Sequence, residues 1–169
     1  MQLPLKNIWR YYIWRFTAGF HFIYTLQAIF LLSKGITPSQ LALFASVTVI
    51  SITLLEIPTG FIADKFSRRR SVSLGYLFGG LAMLGFVFIQ NFYGLLIISF
   101  LMGLAEALKS GATESLIYDD LKASNNEERY LHMTSKGSSA ATISGAIASF
   151  LGPILYIVNT SSPFVLTAV

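Results

Sequence analysis

Two stretches of this chain are too long and too free of charge for a water-soluble fold. Residues 71–105 and 137–169 contain no Asp, Glu, Lys or Arg. As a single helix the first would measure about 52 Å at 1.5 Å per residue, well beyond the roughly 30 Å hydrocarbon core of a bilayer. Each stretch therefore reads as more than one lipid-length segment. Gln90-Asn91 offers a break in the first, and Asn159-Thr160-Ser161-Ser162-Pro163 offers one in the second, because these residues favour turns. Composition agrees. Hydrophobic residues make up 54% of the chain and charged residues 12%, against about 25% charged in soluble domains. Mean hydropathy is +0.63.

Extending the count along the chain gives spans at residues 16–33, 35–55 (with apolar character continuing past Glu56 to Ala63), 71–89, 92–118 and 138–158. Residues 163–169 begin a sixth. Thr37-Pro38-Ser39 marks the start of the second helix, with Pro in the first turn. The expected fold is all-α: a polytopic membrane bundle of about five full transmembrane helices plus the start of a sixth, forming one transmembrane domain over residues 1–169. A stub as short as the last segment cannot cross a bilayer, so the chain reads as truncated. Lys6 and Arg10 before the first apolar run resemble a secretory leader. That run is too long, however, and lacks a small-residue cleavage site before Lys34, so it reads as a retained span.

Cation placement sets the expected orientation. With the N-terminus inside, the cytoplasmic segments hold Lys6, Arg10, Lys65, Arg68, Arg69, Arg70, Lys122, Arg129 and Lys136, and the outer loops hold only Lys34. That asymmetry predicts a multi-pass protein of the cell (plasma or inner) membrane with a cytoplasmic N-terminus. The net charge of +4 thus points to a membrane surface rather than to nucleic acid. There is no Cys, and His21 and His132 are the only histidines, so neither a metal nor another cofactor is expected. No nucleotide loop or nucleophile elbow is present, and an enzyme is not expected.

Charge inside a span costs about 2.5–3.5 kcal/mol per residue on insertion scales and faces a cavity or a partner. Counted up from Asp119 at the inner interface, Glu114 lies about 7 Å deep, Lys109 about 15 Å and Glu106 about 20 Å. Glu106 and Lys109 are three apart, share a helix face and can pair. With Ser110 and Thr113 they give the fourth helix a polar stripe. The stripe lines a substrate or ion pathway, or else it is a neutralised pair that locks packing. Glu56 precedes Pro58, which removes a backbone donor and crowds the carbonyl of Leu54. A protonatable group there couples to gate motion, or it simply reaches the loop cations. His21, on one face with Thr17 and Thr25, lines the cavity or bonds between helices. Arg15 is read as snorkelling beside the aromatic belt of Trp9, Tyr11, Tyr12 and Trp14. Small residues at Ala141, Gly145, Ala148, Ser149 and Gly152, and at Gly75 and Gly79, allow close helix approach. They serve either a sliding surface against a second half or packing inside the bundle.

Between the second and third spans stands Gly60-Phe-Ile-Ala-Asp64-Lys65-Phe66-Ser67-Arg68-Arg69-Arg70. Its spacing Gly-x-x-x-Asp-Lys-x-x-Arg-Arg resembles the loop signature of the major facilitator superfamily of secondary transporters, with Ser67 where the family commonly has a second Gly. Glu56-Ile57-Pro58-Thr59-Gly60 and Ser110-Gly111-Ala-Thr-Glu114-Ser-Leu-Ile-Tyr118-Asp119 are similar to neighbouring family segments. The resemblance covers nearly the whole chain, including a longer loop at 120–136, and implies the N-terminal half of such a fold. It implies that Gly60, Asp64, Lys65, Arg68, Arg69 and Asp119 form the loop motif, with Asp64, Arg68 and Asp119 as a charge network bracing an inner gate. The implied function is secondary transport of a small solute by alternating access, efflux included. A proton or sodium ion would be the coupling partner, and a second six-helix half would complete the full-length protein. The alternative class is a non-transporting membrane assembly protein or an inactive half-transporter.

Overall fold

The computed structural model describes residues 8–22, 26–65, 67–89, 91–159 and 166–167. Its elements are α1 (Ile8–Ala18), α2 (Gln27–Ser33), α3 (Pro38–Lys65), α4 (Arg68–Phe88), α5 (Phe92–Ala123) and α6 (Tyr130–Val158), with a 3-10 turn at Glu127–Arg129. Among the described residues, α3, α4, α5 and α6 with its preceding turn are long and apolar enough to cross a membrane. The protein is an all-α, multi-pass membrane bundle.

Local sequence explains where most helices start and stop. Pro38 opens α3 behind a capping box: the Thr37 N–H donates to Gln40 Oε1 at 2.9 Å, and the Gln40 N–H donates to Thr37 Oγ1 at 3.3 Å. Asn91 caps α5 by accepting the Gly94 N–H at 2.6 Å. Gly35, at φ 83°, ends α2, and Asn125, at φ 52°, ends α5. At both ends the next N–H reaches back to a carbonyl five residues earlier (Ile36 to Leu31, 3.2 Å; Asn126 to Leu121, 3.0 Å), the Schellman arrangement. Lys34 follows α2 and closes a second helix end. Its ammonium donates to the Phe86 and Ile89 carbonyls at the C-terminus of α4 (3.1 and 3.4 Å) and lies 4.5 Å from the Phe30 ring centroid. Cations are favoured at helix C-termini. Partial burial lowers the Lys34 pKa from its ordinary value.

α5 lies against both α3 and α4 along its length, while α1 lies along α6. Lipid removes most hydrophobic drive for helix association, so close packing and polar contacts hold such a bundle. Both are present on α5. The buried Ser71 hydroxyl donates to the Leu108 carbonyl at 3.2 Å. The buried Thr59 hydroxyl stands 2.7 Å from the Leu55 carbonyl and 3.1 Å from that of Ala107. α3 continues through Pro58 as helix. Gly103 lets α3 come so near that a Cβ there would overlap Ser51 and stand 2.8 Å from the Thr48 carbonyl oxygen. A core of Phe30, Phe44, Phe86, Leu95 and Ile98 fills the end of the bundle near Lys34. Tyr11, Leu121 and Met133 fill the other end.

Two segments differ from the sequence expectation. The first span is not one helix. α1 stops at Ala18, Gly19–Phe22 is non-helical, and α2 resumes at Gln27. The interrupted stretch docks on α6. A Cβ at Gly19 would overlap Ser144 and the Ala141 carbonyl, and a Cβ at Gly152 would stand 2.8 Å from the Phe22 carbonyl oxygen. The small-residue stripe of α6 therefore seats the interrupted first span, which is packing inside the bundle. Gly75 likewise packs inward, against Lys109 and Ala105 of α5. The second difference is the loop expected at 120–136. α5 runs to Ala123 and α6 starts at Tyr130, so Asp120, Lys122 and Lys136 ride on the two helices, while Glu127, Glu128 and Arg129 form the 3-10 turn between them. A 32-residue helix is about 48 Å long, and its charged end extends past the hydrocarbon.

Candidate functional site

The charged hairpin is tighter than its motif suggests. Gly60, Asp64 and Lys65 belong to the last turns of α3, and Arg68 already begins α4. Ser67 is extended at φ 179° and accepts the Arg70 N–H at 3.5 Å. This position needs no left-handed backbone, and a Ser serves as the cap. Arg68 donates Nε and Nη2 to Asp64 Oδ1 at 3.0 and 2.9 Å, and Nη1 to Asp119 Oδ2. The planar guanidinium thus joins the end of α3, the start of α4 and the end of α5. Arg69 lines the same shallow depression, with Ser67 and Leu116. Lys65 instead lies 5.9 Å from the Phe61 ring centroid, and Gly60 has nothing within 4 Å of where a Cβ would sit.

Deeper in the bundle, a cavity of about 350 Å³ separates α1 from α4 and α5. Glu106 and Lys109 reach it from α5, Trp14 and Thr17 from α1, Tyr76 and Met83 from α4, and His21 from the interrupted segment. The Lys109 ammonium donates to Glu106 Oε1 at 2.7 Å and stands 5.2 Å from the Tyr76 ring centroid. The pair is unequally exposed: the Glu106 side chain is 46% exposed and that of Lys109 18%.

The polar stripe expected on α5 divides. Glu106 and Lys109 face the cavity, whereas Ser110 turns to α3 and donates to Glu56 Oε1 at 3.1 Å. Thr113 does not line the cavity. Glu56 is exposed on α3 and reaches Ser110. Thr25 lies outside the described residues, and α1 has ended before His21, so the helical face expected for Thr17 and His21 does not form; both still line the cavity.

Sequence reasoning passed over Tyr76, Met83 and Met102 as lining residues, and it read Arg15 as snorkelling. Arg15 Nη2 donates to Ser138 Oγ of α6 at 3.3 Å, and its Nε is buried without a hydrogen-bond partner. The signal available for Arg15 was the one used for Glu106: an ionisable side chain within an apolar helix. Among the described residues, no group of His, Asp and Glu is gathered to hold a metal ion.

Comparison with protein families matches residues 12–169 to the Major Facilitator Superfamily. An uncharacterized MFS-type transporter of Methanocaldococcus jannaschii is 26% identical over 152 residues, covering 89% of this chain and 38% of that protein. The uncharacterized MFS-type transporter YxaM of Bacillus subtilis is 25% identical over 141 residues, covering 83% of this chain and 34% of that protein. The chain thus spans little more than a third of either relative.

Proposed function

Since this chain belongs to the major facilitator superfamily, we propose that it forms part of a secondary membrane transporter that moves a small solute by alternating access. The observation that carries this reading is the Glu106–Lys109 ion pair on the wall of a cavity inside a bundle of lipid-length helices. Paired charge at that depth is costly to insert and fits a solute or ion pathway. α1 and α6 form one packed unit, α3, α4 and α5 another, and the cavity opens at their seam. The end bearing Lys65, Arg68, Arg69, Arg70, Lys122 and Arg129 faces the cytoplasm, as basic segments do. There Asp64, Arg68 and Asp119 brace α3, α4 and α5 against one another. A second six-helix half supplies the opposite wall of the pathway, and a proton or sodium gradient drives the cycle.

Flux measurements on the full-length protein in proteoliposomes, run against imposed proton and sodium gradients, test this. Gradient-driven solute flux is expected, and Glu106→Gln should change its pH or solute dependence by about tenfold, the scale of one lost charge-assisted hydrogen bond. A flux profile identical in wild type and Glu106→Gln would assign the pair to packing alone. No gradient-driven flux at all would favour a non-transporting assembly role.

A further inference from the structure

The charges on the cavity lining cancel. Lys109 donates to Glu106 Oε1 at 2.7 Å, and its ammonium also faces the Tyr76 ring. Arg15 is not part of the lining, because its guanidinium turns to Ser138 of α6. His21 does line the cavity, and a histidine with its ordinary pKa of about 6.5 is mostly neutral at about pH 7. A charged solute entering this space gives up its hydration and meets no net opposite charge. The ion pair is nevertheless open on one side. The Glu106 side chain is 46% exposed against 18% for Lys109. Lys109 occupies Oε1, and among the described residues no donor is placed on Oε2. The polar handle that the pair offers a solute is therefore a hydrogen-bond acceptor. The surface around it is flat and apolar. Trp14 of α1 and Tyr76 of α4 meet edge to face, with ring centroids 6.2 Å apart. Met83 and Met102 add polarizable surface, and Gly79 and Gly80 leave part of the α4 wall without side chains. Such walls suit a flat apolar body.

We propose that this cavity takes an uncharged solute, a flat aromatic or apolar body bearing a hydroxyl or amide N–H that donates to Glu106. This assignment rests on the transport reading above and gives the chemical class of its solute. The body lies against Trp14 and Tyr76, and the donor meets the open carboxylate oxygen in a charge-assisted hydrogen bond. Lys109 cancels the attraction of Glu106 for a cation, and Glu106 cancels the attraction of Lys109 for an anion. The two residues together set the charge selectivity, so removing either one should expose the other.

Four probes of one shape separate these features: 2-naphthylmethanol, its methyl ether, 2-naphthoate and 2-naphthylmethylammonium. Their binding to the full-length protein in phosphatidylcholine nanodiscs is measured by equilibrium dialysis, with empty nanodiscs subtracted. The alcohol should bind saturably and at least about tenfold more tightly than each of the other three, since hydrogen bonds to charged groups carry about that weight. Glu106→Gln leaves Lys109 without its counter-charge and should move the preference to the naphthoate. Lys109→Gln leaves Glu106 without its counter-charge and should move the preference to the ammonium. The wild-type ranking stands as a test by itself where either variant does not fold. Wild-type preference for either ion, equal binding of alcohol and ether, or no saturable binding of the alcohol would overturn the assignment. So would an unchanged ranking in the two folded variants. Binding needs no gradient, so gradient-driven flux alongside any of these results would overturn the solute class and leave the transport reading intact.

Discussion

Arg68→Ala should slow solute flux by about tenfold in the full-length protein while leaving the bundle folded. Both halves of that expectation come from the same geometry. The Arg68 side chain is 30% exposed, and its partners Asp64 and Asp119 are 65% and 56% exposed. Exposed ion pairs contribute only about 0–1 kcal/mol each, so the thermal midpoint should move by a few degrees at most. A conformational equilibrium is more sensitive, because about 1.4 kcal/mol already changes a population ratio tenfold. Removing the guanidinium leaves two carboxylates near the C-terminal ends of α3 and α5, where the helix dipole already disfavours negative charge. The ends of α3, α4 and α5 then separate more easily, and the balance between access states shifts. Arg68→Lys should recover little, since an ammonium cannot fork to both carboxylates. Comparison of initial flux rates with thermal midpoints in the same preparation checks this. Wild-type flux from Arg68→Ala would reduce the hairpin to a topology signal.

Gly103→Val should have the largest effect on stability. A Cβ at Gly103 overlaps Ser51 and meets the Thr48 carbonyl oxygen at 2.8 Å and the Ile52 nitrogen at 3.2 Å. Two of these neighbours are backbone atoms of α3, which cannot swing aside as a flexible side chain would. Overpacking of this kind costs about 1–3 kcal/mol or more. It also forces α3 off α5, disturbing the Thr59–Ala107 approach one turn away. At roughly 2–4 °C per kcal/mol for a chain of this size, the midpoint should fall by about 5–10 °C, with loss of monodisperse protein in detergent. Gly60→Ala is the contrast. Gly60 belongs to the recognisable hairpin motif, yet nothing lies within 4 Å of its would-be Cβ. It sits inside a helix where Ala is favoured by about 1 kcal/mol, so this variant should melt no earlier than wild type. A stable Gly103→Val protein would mean that α3 and α5 do not pack as described.

Lipid-length helices and their breaks were legible because the information is local. Thr37 with Gln40, and Asn91 with Gly94, are capping patterns that any helix would use. The approach of Asp119 to Arg68 follows from a motif resemblance, and no spacing rule joins residues so far apart in the chain. The interruption after Ala18 was hidden, since the apolar run continues through it. Gly19 and Phe22 seat closely against α6 there, a tertiary contact that the apolar run does not announce. The segment 120–136 misled in the opposite sense. The resemblance implies a longer loop there, but a helix can carry charge freely once it has left the hydrocarbon, and α5 and α6 take up most of the segment. Arg15 was assigned to snorkelling because sequence gives depth along a helix but not the direction of the side chain. The fate of Nε is visible only when α6 is in place.

The chain contains no cysteine, which makes its threading through the membrane directly measurable. Single cysteines at Arg69, beside the α3–α4 turn, and at Asn91, at the α4–α5 turn, can be challenged with a membrane-impermeant maleimide in sealed right-side-out and inverted vesicles. If α4 crosses the bilayer and the basic turns share one side, Arg69→Cys labels only in inverted vesicles and Asn91→Cys only in right-side-out ones. Labelling of both positions from the same side would contradict the membrane-spanning bundle on which the cavity, the charge network and the transport reading all depend.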